Sequence, residues 1–409
     1  MIGAAELPQL TKLLHDADLA AAWLVAAIWV LHLLQAAFGM RTIADIDEPQ
    51  YDVAADAIVS SESGQKAPKV TIVVPARNEA DTIEPALRSL RHLDYPNYEI
   101  IAVNDRSEDK TGDIMQRVAA EPEGAPVRVV NVTGLPTGWL GKTHAMWRGA
   151  QQGSGDWILF TDADVVFRRD ALRRAIGYSE KAPADHFVLF PTMIIKSPGE
   201  RMMMAVFQAL IGFGHRPWKV ADPKARDYIG VGAFNMVRRS AYEKLGTYEA
   251  MKLAVIDDMQ LGAMVKRQGF RQRVAFGKDL ASIHWASGAF GIMQNLSKNF
   301  FAYVRFNTVL ALMAAFGLLF LNVLPFAGLI LASGWAWVGY AAAVLCIFAI
   351  YVGMSRKSDI AAWYIVTHPV SSTLIAYTIL LSTFQTLRNG GVLWRGTLYP
   401  LDELRQGMS

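Results

Sequence analysis

Hydrophobic positions divide the chain into two apolar ends and a middle of mixed character. Residues 17–39 form a nearly unbroken apolar run, with His32 and Gln35 the only polar interruptions in its core. A helix needs about 20 mainly apolar residues to cross a bilayer, so this run predicts a membrane span. The preceding segment lacks a strongly basic start, and the run is longer than the apolar part of a signal peptide. We therefore expect a retained anchor.

Three further apolar runs lie near the C-terminus, at about 308–332, 335–353 and 361–384. The first two predict membrane-spanning helices. The third contains His368, Pro369 and several hydroxyl residues, which predicts a kinked span or a re-entrant segment.

The positive charges suggest an orientation. Arg41 and the many Lys and Arg residues of 66–306 place the middle of the chain on the cytoplasmic side of the cell inner membrane, so we expect a multi-pass protein with a cytosolic domain. Three C-terminal crossings would leave Arg388 and Arg395 outside, against this rule, whereas two would keep them inside. The number of crossings stays open.

Strands alternate with helices in the middle, about 66–285. Apolar runs rich in β-branched or bulky residues predict strands at 70–74, 98–103, 127–132 and 157–160, and helices follow from about 80, 110 and 142. This alternation predicts an α/β domain with a mostly parallel, doubly wound sheet. Polar turns follow the strands at their carboxyl ends, which is where open α/β sheets bind ligands.

The turn after the fourth strand carries two acids, Asp162 and Asp164. Residues two apart in an extended segment point the same way, so both carboxylates can face one ligand. Such hard oxygen ligands suit Mg²⁺ or Mn²⁺ shared with a phosphorylated substrate. The alternative is a solvated acidic turn without a ligand.

Other turns allow two interpretations each. Asp105 either caps a helix or accepts hydrogen bonds from a nucleobase or ribose. Glu79 caps a helix or pairs with Arg77. Lys142 stands at a helix start, against the helix dipole, and a neighbouring anion such as a diphosphate would explain it. The chain has no Walker-type glycine-rich loop, which disfavours P-loop chemistry.

Composition excludes several classes of function. The 409 residues carry 40 Lys and Arg against 37 Asp and Glu, a net charge of +3, so no nucleic-acid partner is indicated. Cys346 is the only cysteine, which excludes a disulfide framework or a thiolate metal cluster within one chain.

Three motifs, in this order and spacing, resemble those of the family 2 glycosyltransferases with a GT-A fold. They are residues 74–79 (Val-Pro-Ala-Arg-Asn-Glu), 104–111 (Asn-Asp-Arg-Ser-Glu-Asp-Lys-Thr) and 162–164 (Asp-Ala-Asp). The loop 138–142 (Gly-Trp-Leu-Gly-Lys) and the membrane segments at both ends are similar to the hopanoid-associated and carotenoid-type lipid glycosyltransferases. The resemblance covers about residues 66–300 and implies a Rossmann-like GT-A domain between transmembrane helices.

The resemblance implies a site for a uridine nucleotide, formed by Pro75, Ala76, Arg77, Glu79 and Asp105. In such enzymes the first two motifs hold the nucleotide of the sugar donor.

It also implies a metal site. Asp164 would ligate Mg²⁺ or Mn²⁺ directly, Asp162 would lie nearer the donor sugar, and His284 would complete the ligand set as in some GT-A enzymes. The metal, with help from Lys142, would neutralise charge on the leaving diphosphate.

On the acceptor side, residues 256–261 resemble the acidic pair that precedes a helix in the family. Asp258 would be the general base, with Asp257 as second candidate, although adjacent acids at a helix start also serve as caps. The glycine-rich segment 229–235 predicts either a close approach to a sugar or lipid head group or a bent strand. Residues 294–299 lack the Arg and Trp of the Gln-x-x-Arg-Trp motif, which argues against a polymer synthase.

Two stretches, 199–218 and 288–306, combine apolar and basic residues. They predict helices at a membrane surface, between which a lipid acceptor could enter, or else ordinary core packing. The predicted segments are an N-terminal anchor at 1–40, a linker at 41–65, the GT-A domain at 66–285, an interfacial helix at 286–306, transmembrane helices at 307–385 and a C-terminal tail at 386–409.

The leading hypothesis is a membrane-anchored, inverting, metal-dependent transferase that moves a sugar from a nucleotide-sugar donor, UDP-linked, to a lipid hydroxyl at the cytoplasmic face. One alternative is a nucleotidyl or phosphoryl transferase with the same metal site. The other is a non-catalytic, lipid-binding membrane scaffold.

Overall fold

The structure, a computed structural model, describes residues 7–60 and 62–407. The chain forms two compact units that are interleaved along the sequence. The sheet unit comprises Arg41–Ile194, His215–Trp285 and Gly390–Ser409, and the helical unit comprises Met1–Met40, Ile195–Gly214 and Ala286–Asn389. The predicted segments 1–40, 41–65 and 386–409 each include residues outside the described ranges.

The elements are numbered in chain order over the described residues. The strands are β1 (Ala44–Asp45), β2 (Val70–Ala76), β3 (Tyr98–Asp105), β4 (Val127–Val132), β5 (Trp157–Phe160), β6 (Val165–Phe167), β7 (His186–Leu189), β8 (Thr192–Met193), β9 (Asn235–Arg238), β10 (Gln272–Phe276), β11 (Ala281–Ile283), β12 (Gly391–Trp394) and β13 (Thr397–Pro400). The helices are α1 (Leu7–Gly39), α2 (Ile83–Arg91), α3 (Thr111–Ala119), α4 (Gly141–Gln151), α5 (Ala171–Lys181), α6 (Pro198–His215), α7 (Arg239–Lys244), α8 (Asp257–Arg267), α9 (Gly288–Tyr303), α10 (Thr308–Asn322), α11 (Leu324–Leu331), α12 (Gly334–Met354), α13 (His368–Asn389) and α14 (Leu401–Gln406).

The sheet unit is built on an eight-stranded sheet in the order β1-β10-β7-β9-β5-β2-β3-β4. All neighbouring strands are parallel except β9, which runs antiparallel to both β5 and β7. The predicted α/β domain with a mostly parallel sheet is therefore confirmed. The antiparallel β9 lies next to β5, so it brings the second half of the domain beside the turn that follows β5.

Strand β2 is buried along its whole length and extends through Pro75 and Ala76, two residues past its predicted end. A proline inside a sheet normally removes a ladder hydrogen bond. Here β5 pairs with β2 only as far as Val73, so the missing N–H of Pro75 faces a side where pairing has already ended.

Helix α2 illustrates how the flanking helices pack. Its buried residues Ile83, Leu87 and Leu90 recur at helical spacing on one face and join the main hydrophobic core. Burying each large apolar side chain contributes about 1.5–3 kcal/mol. This packing fixes the helices, and so the turns that join them to the carboxyl ends of the strands.

Part of the segment 41–65 belongs to the sheet. Strand β1 pairs in parallel with β10 at the sheet edge, and Ile46 and Ile58 are buried in the main core. The segment was predicted as a linker or surface loop because its polar composition shows no strand alternation.

A small sheet of order β6-β11-β8 lies beside the main one. Strand β6 begins directly after Asp164, and its antiparallel pairing with β11 matches Val165 with Ile283. This register places His284, the residue after β11, at the level of Asp164.

The helical unit contains the helices that are able to cross a membrane. Among the described residues, three helical stretches are long and apolar enough, at Thr11–Thr42, Gly334–Met354 and Ala362–Asn389. The pair α10–α11 adds a fourth if it counts as one bent span. The candidate spans near both termini are thus confirmed as apolar helices.

The first C-terminal run contains a bend. Helices α10 and α11 are bent by 40° at their junction, where Pro325 interrupts the helical hydrogen bonds. Pro369 instead occupies the first turn of α13, where its missing N–H costs no bond. Hydroxyls such as Thr378 and Thr383 bond the carbonyls four residues earlier, at 2.7 and 2.9 Å, so α13 is continuous.

The two stretches predicted at a membrane surface form α6 and α9, and nearly all of both belongs to the helical unit. They touch each other: Gly288 N donates to Glu200 Oε1 at 2.9 Å, and a Cβ on Gly199 would lie 3.4 Å from that of Ala289. Phe290 is 80% exposed, which sets the outer face of α9 apart from ordinary core packing.

Candidate active site

Asp162 and Asp164 follow β5 at the carboxyl edge of the sheet. Their turn is fixed by its backbone, because Asp162 N donates to Gly232 O at 3.1 Å and Thr161 Oγ1 donates to Ala233 O at 2.8 Å. The buried Oδ1 of Asp164 has no hydrogen-bond partner among the described residues. The turn therefore holds both acids in place and leaves one carboxylate oxygen of Asp164 without a hydrogen bond.

Lys142 joins the two acidic motifs of the sequence. Its Nζ lies 2.7 Å from Asp162 Oδ1 and 3.4 Å from Asp257 Oδ1. Burial lowers the pKa of Lys142, but the carboxylates of Asp162, Asp257 and Asp258 outweigh it and raise this pKa above its usual value. The anions that explain a cation at the start of α4 thus include side chains of the protein itself.

The acidic pair opens helix α8. Asp257 is buried, and Asp258 Oδ1 accepts a hydrogen bond from Met259 N at 2.7 Å. Burial, followed by the charge of Asp257, raises the pKa of Asp258 to about 7. A carboxylate with this pKa exchanges a proton readily near neutral pH, which is what a general base requires.

A second concentration of negative charge lies at Asp164. Burial, then Asp162 and Glu79, raise the pKa of Asp164 to about 7. A divalent cation would relieve the repulsion that raises this pKa.

These acids fit a metal that is shared with a substrate. Among residues 7–60 and 62–407, no group of three or more His, Cys, Asp or Glu side chains is arranged to hold a metal ion by itself. Mg²⁺ is typically held by one or two carboxylates together with substrate phosphates. Asp164 and Asp162 meet that requirement, and the strand register puts His284 beside them.

The turn after β3 holds Asp105 in a tight ion pair. Arg106 donates to both of its carboxylate oxygens, from Nε at 2.7 Å and from Nη2 at 2.8 Å. The carboxylate that accepts a backbone N–H at the start of α3 is instead that of Asp109, to which Thr111 N and Ala80 N donate. A Cβ on Gly141 would come within 2.8 Å of Asp105 Oδ2, so α4 begins against this turn.

The turn after β2 presents Arg77 and Glu79, while Pro75 and Ala76 are buried at the strand end. Glu79 accepts a hydrogen bond from Thr82 Oγ1 at 3.0 Å. It pairs with Arg395, in the turn between β12 and β13, and not with Arg77, the partner that the sequence suggests.

Arg395 contacts two of the candidate site residues, and the sequence does not indicate it there. It lies 316 residues after Glu79, in a segment that the composition marked as a tail. A hairpin signal was present: Arg395 and Gly396 form a two-residue turn between runs of β-forming residues. That signal predicts the hairpin but not its location.

The glycine-rich segment 229–235 is a turn that leads into β9, which begins at Asn235. Its close backbone approach is to the acids of the site, since a Cβ on Gly232 would lie 2.4 Å from Asp162 Oδ2. The segment thereby holds the turn after β5 against the start of α8.

Both the matching family model and the similar curated proteins are glycosyltransferases. Residues 71–246 match the model described as glycosyl transferase family 2. The chain is similar to 4,4'-diaponeurosporenoate glycosyltransferases of Staphylococcus aureus: that of strain MRSA252 is 24% identical over 343 residues, and that of strain USA300 is 25% identical over 345 residues. Both alignments cover 82% of this chain and 89% of the relative.

Among solved structures, the chain resembles a mannosyltransferase from Pyrobaculum calidifontis in complex with GDP-Man and Mn²⁺. The TM-score is 0.52 at 21% sequence identity, and the match covers 90% of this chain and 99% of the other. This likeness supports the GT-A fold of the sheet unit.

Proposed function

Because this chain is a glycosyltransferase with a family 2 domain, we propose that it transfers a sugar from a nucleoside-diphosphate donor to the hydroxyl of a membrane lipid. Transfer is metal-dependent and inverts the anomeric centre. The sequence resemblance implies a uridine nucleotide, whereas the mannosyltransferase named above was solved with GDP-Man, so both bases enter the test.

One observation carries the proposal: Lys142 lies between Asp162 and Asp257. Asp162 belongs to the pair of acids that suits a metal and a diphosphate, and Asp257 adjoins the candidate base Asp258. The ammonium group of Lys142 thus contacts one acid on the leaving-group side and one on the acceptor side. This arrangement supports an in-line displacement, in which nucleophile and leaving group stand on opposite sides of one carbon atom.

Asp258 acts on the acceptor. Its carboxylate takes the proton of the acceptor hydroxyl while that oxygen forms a bond to the anomeric carbon of the donor sugar. The bond from this carbon to the diphosphate breaks, and its electron pair leaves with the nucleoside diphosphate. Asp257 is the second candidate for the base.

Lys142 maintains positive charge where the leaving diphosphate develops negative charge. Asp164 and Asp162, with His284 beside them, would hold a divalent metal, which would supply further charge neutralisation there. Arg77, Glu79 and Asp105, on turns at the carboxyl ends of β2 and β3, bind the base and ribose of the donor, with backbone contacts from Pro75 and Ala76.

The helical unit supports a lipid acceptor, because its apolar spans would keep the enzyme in the bilayer that contains the lipid. The names of the S. aureus relatives likewise indicate a carotenoid-type lipid substrate. By the positive-inside rule, we place the sheet unit on the cytosolic side of the cell inner membrane.

The nucleophile of the acceptor is a hydroxyl in this proposal. The name of the relatives denotes a carboxylate, which needs no base because it is already ionised. Asp258 has its pKa raised to about 7, and such a group is useful for an acceptor that must lose a proton. The effect of replacing Asp258 therefore distinguishes the two acceptor classes.

The test is release of free nucleoside diphosphate by the purified protein in detergent. Each of a panel of UDP- and GDP-sugars is supplied with Mn²⁺ or Mg²⁺ and a bacterial lipid extract, for wild type, Asp164→Ala, Asp258→Asn and Lys142→Met. We expect metal-dependent turnover of one donor, which the first substitution abolishes and the other two reduce by about 10²–10³-fold.

Asp113→Asn is the matched control, since Asp113 is an exposed acid on α3 and is not one of the candidate site residues. Consumption of a nucleoside triphosphate in place of a nucleotide sugar would establish the nucleotidyl or phosphoryl transferase. Absence of turnover with every donor would favour the scaffold. Full activity of Asp258→Asn would point to a carboxylate acceptor.

A further inference from the structure

The last part of the sheet unit is a β-hairpin formed by β12 and β13, which we call the C-terminal hairpin (residues 391–400). Its turn consists of Arg395 and Gly396, with φ of 47° and 77°. Both values lie in the left-handed region, as in a type I′ turn, where Asn, Asp and Gly are favoured. An arginine at the first position is strained, and such strain is concentrated at functional positions.

Arg395 contacts the turn that follows β2. Its Nη1 donates to the backbone oxygen of Arg77, and its Nη2 donates to Glu79 Oε1. The guanidinium therefore lies against the turn that carries Arg77 and Glu79, two of the candidate donor-binding residues.

The other strand of the hairpin contacts the two remaining turns. Gly141 N donates to the hydroxyl of Tyr399 at 3.3 Å, and Arg106 also interacts with that hydroxyl. Gly141 opens α4 directly before Lys142, and Arg106 is the ion-pair partner of Asp105. The hairpin thus contacts the turns after β2 and β3 and the start of α4.

Packing alone does not require the arginine. Val392 and Tyr399 bury one face of the hairpin, with 4% and 7% of their surfaces exposed. The side chain of Arg395 is 43% exposed, so part of its guanidinium faces solvent beside Glu79. Arginine carries five N–H donors in a rigid fork that matches phosphate oxygens.

We propose that Arg395 is a donor-binding residue and that the C-terminal hairpin closes the nucleotide site. This inference rests on the proposed function. Two sets of N–H groups hold Glu79 and the Arg77 carbonyl, while the remaining ones donate to the diphosphate of the donor. Binding of the nucleotide and docking of the hairpin then stabilise each other by the same free energy.

Two measurements test this, both with UDP or GDP plus Mn²⁺, using whichever nucleotide wild type binds more tightly. Calorimetry of the full chain in detergent gives Kd for wild type, Arg395→Ala, Arg395→Lys and the control Arg405→Ala, whose residue is exposed on α14. Hydrogen exchange of the backbone amides of 391–400 is followed with and without nucleotide.

We expect Arg395→Ala to raise Kd about 10–100-fold, since a charge-assisted contact is lost. Arg395→Lys should keep part of the affinity, because it retains the charge but not the fork. Arg405→Ala should bind as wild type does. Nucleotide should slow exchange in the wild-type hairpin, a readout that needs no substitution.

Equal Kd for wild type and folded Arg395→Ala, together with unchanged exchange in the hairpin, would overturn the role of Arg395 and leave the transferase intact. If wild type binds neither nucleotide, the proposed function itself fails and this inference fails with it. Thermal unfolding of each variant identifies chains that have not folded.

Discussion

A side chain on Gly230 would collide with Asp258, because an ideal Cβ there would lie 1.8 Å from the Asp258 carbonyl oxygen. The nearby Gly232 approaches Asp162 in the same way. The two glycines therefore fix the separation between the turn after β5 and the start of α8. Their small size is a condition for the geometry of the acids.

We predict that Gly230→Ala lowers turnover by more than about 10²-fold, since displacing a catalytic group by about 1 Å is that damaging. Overpacking should also lower the free energy of unfolding by about 1–3 kcal/mol. Nucleotide release and the thermal midpoint measure the two effects. Gly134→Ala is the control, because no atom lies within 4 Å of the added Cβ. Wild-type turnover in Gly230→Ala would contradict the prediction.

The second prediction concerns pH. Burial and then Asp257 raise the pKa of Asp258 to about 7, Lys142 opposes this, and Asp162 adds to it. A base works as the carboxylate, so activity requires a pH above this pKa. We expect kcat/KM to rise about tenfold per pH unit below 7 and to level off above it.

Measurement of kcat/KM from pH 5.5 to 8.5 at constant ionic strength checks this. The residual activity of Asp258→Asn should lack the rise. A flat profile for wild type would remove Asp258 from the role of base.

A network of buried polar side chains supports the backbone at Asp258. His186 Nε2 hydrogen-bonds Asn235 Oδ1 at 2.5 Å, and Asn235 Nδ2 donates to the Asp258 carbonyl at 3.4 Å. The amide nitrogen of Gln272 hydrogen-bonds His186 Nδ1 and donates to Ile229 O, and its amide oxygen accepts from Ile229 N. Gln272 therefore donates to Nδ1, which leaves the proton of the neutral ring on Nε2.

His186 makes stability depend on pH. Burial lowers its pKa to about 4, from 6.5 in the unfolded chain. Between these values the unfolded state binds more protons, so stability falls as pH drops from 6.5 towards 4, by about 3 kcal/mol in all. Thermal midpoints at pH 7.5 and 5 should differ less for His186→Gln than for wild type. The exposed His92→Gln should behave as wild type does, and an equal loss in all three proteins would contradict the prediction.

The fourth prediction concerns the number of crossings. Because the C-terminal hairpin belongs to the same unit as the segments that precede α9, we predict an even number of crossings between Trp285 and Gly390. Helix α13 begins at the bend of α10–α11, because His368 hydrogen-bonds Asn322 at 3.0 Å. It runs back towards α9, where Phe301 N donates to Ser382 Oγ at 3.1 Å.

We therefore predict that α1, α10–α11 and α12 cross the membrane, and that the segment 355–389, which includes α13, enters and leaves on the side where α12 ends. Arg356 and Lys357, which follow α12, then lie on that side, in agreement with the positive-inside rule.

Single cysteines in a Cys346→Ala background test this with an impermeant maleimide on oriented vesicles. Ser358→Cys should react from the same face as the reference Asp113→Cys in the sheet unit, and Ser333→Cys from the opposite face. Reaction of Ser358→Cys on the face of Ser333→Cys would show that α13 crosses.

The sequence predicts the α/β fold well because the signals are local. Strands β4 and β5 have the predicted bounds, since β-branched or aromatic runs end at turn residues there. The acids after β5 are equally visible, because two acids at a strand end form a local pattern. The roles assigned to these side chains stay predictions.

What the sequence does not show depends on distant contacts. Arg395 meets Glu79 across 316 residues, and neither charge indicates the other. Composition does not indicate the bend at Pro325 either, because the run 308–332 that contains it is apolar. In α13 the hydroxyls satisfy their own backbone, which composition alone does not reveal.

The position of the C-terminal hairpin also sets an order of assembly. Synthesis proceeds from the N-terminus, so the turns after β2 and β3 emerge first. The hairpin residues that contact these turns are made later, after the apolar helices α1 and α10–α13. A nascent chain therefore has the acids of the site but lacks Arg395 and Tyr399. If the hairpin completes the site, full activity arises only once the enzyme has been inserted in its bilayer, and a stalled or truncated chain cannot consume donor in the wrong place.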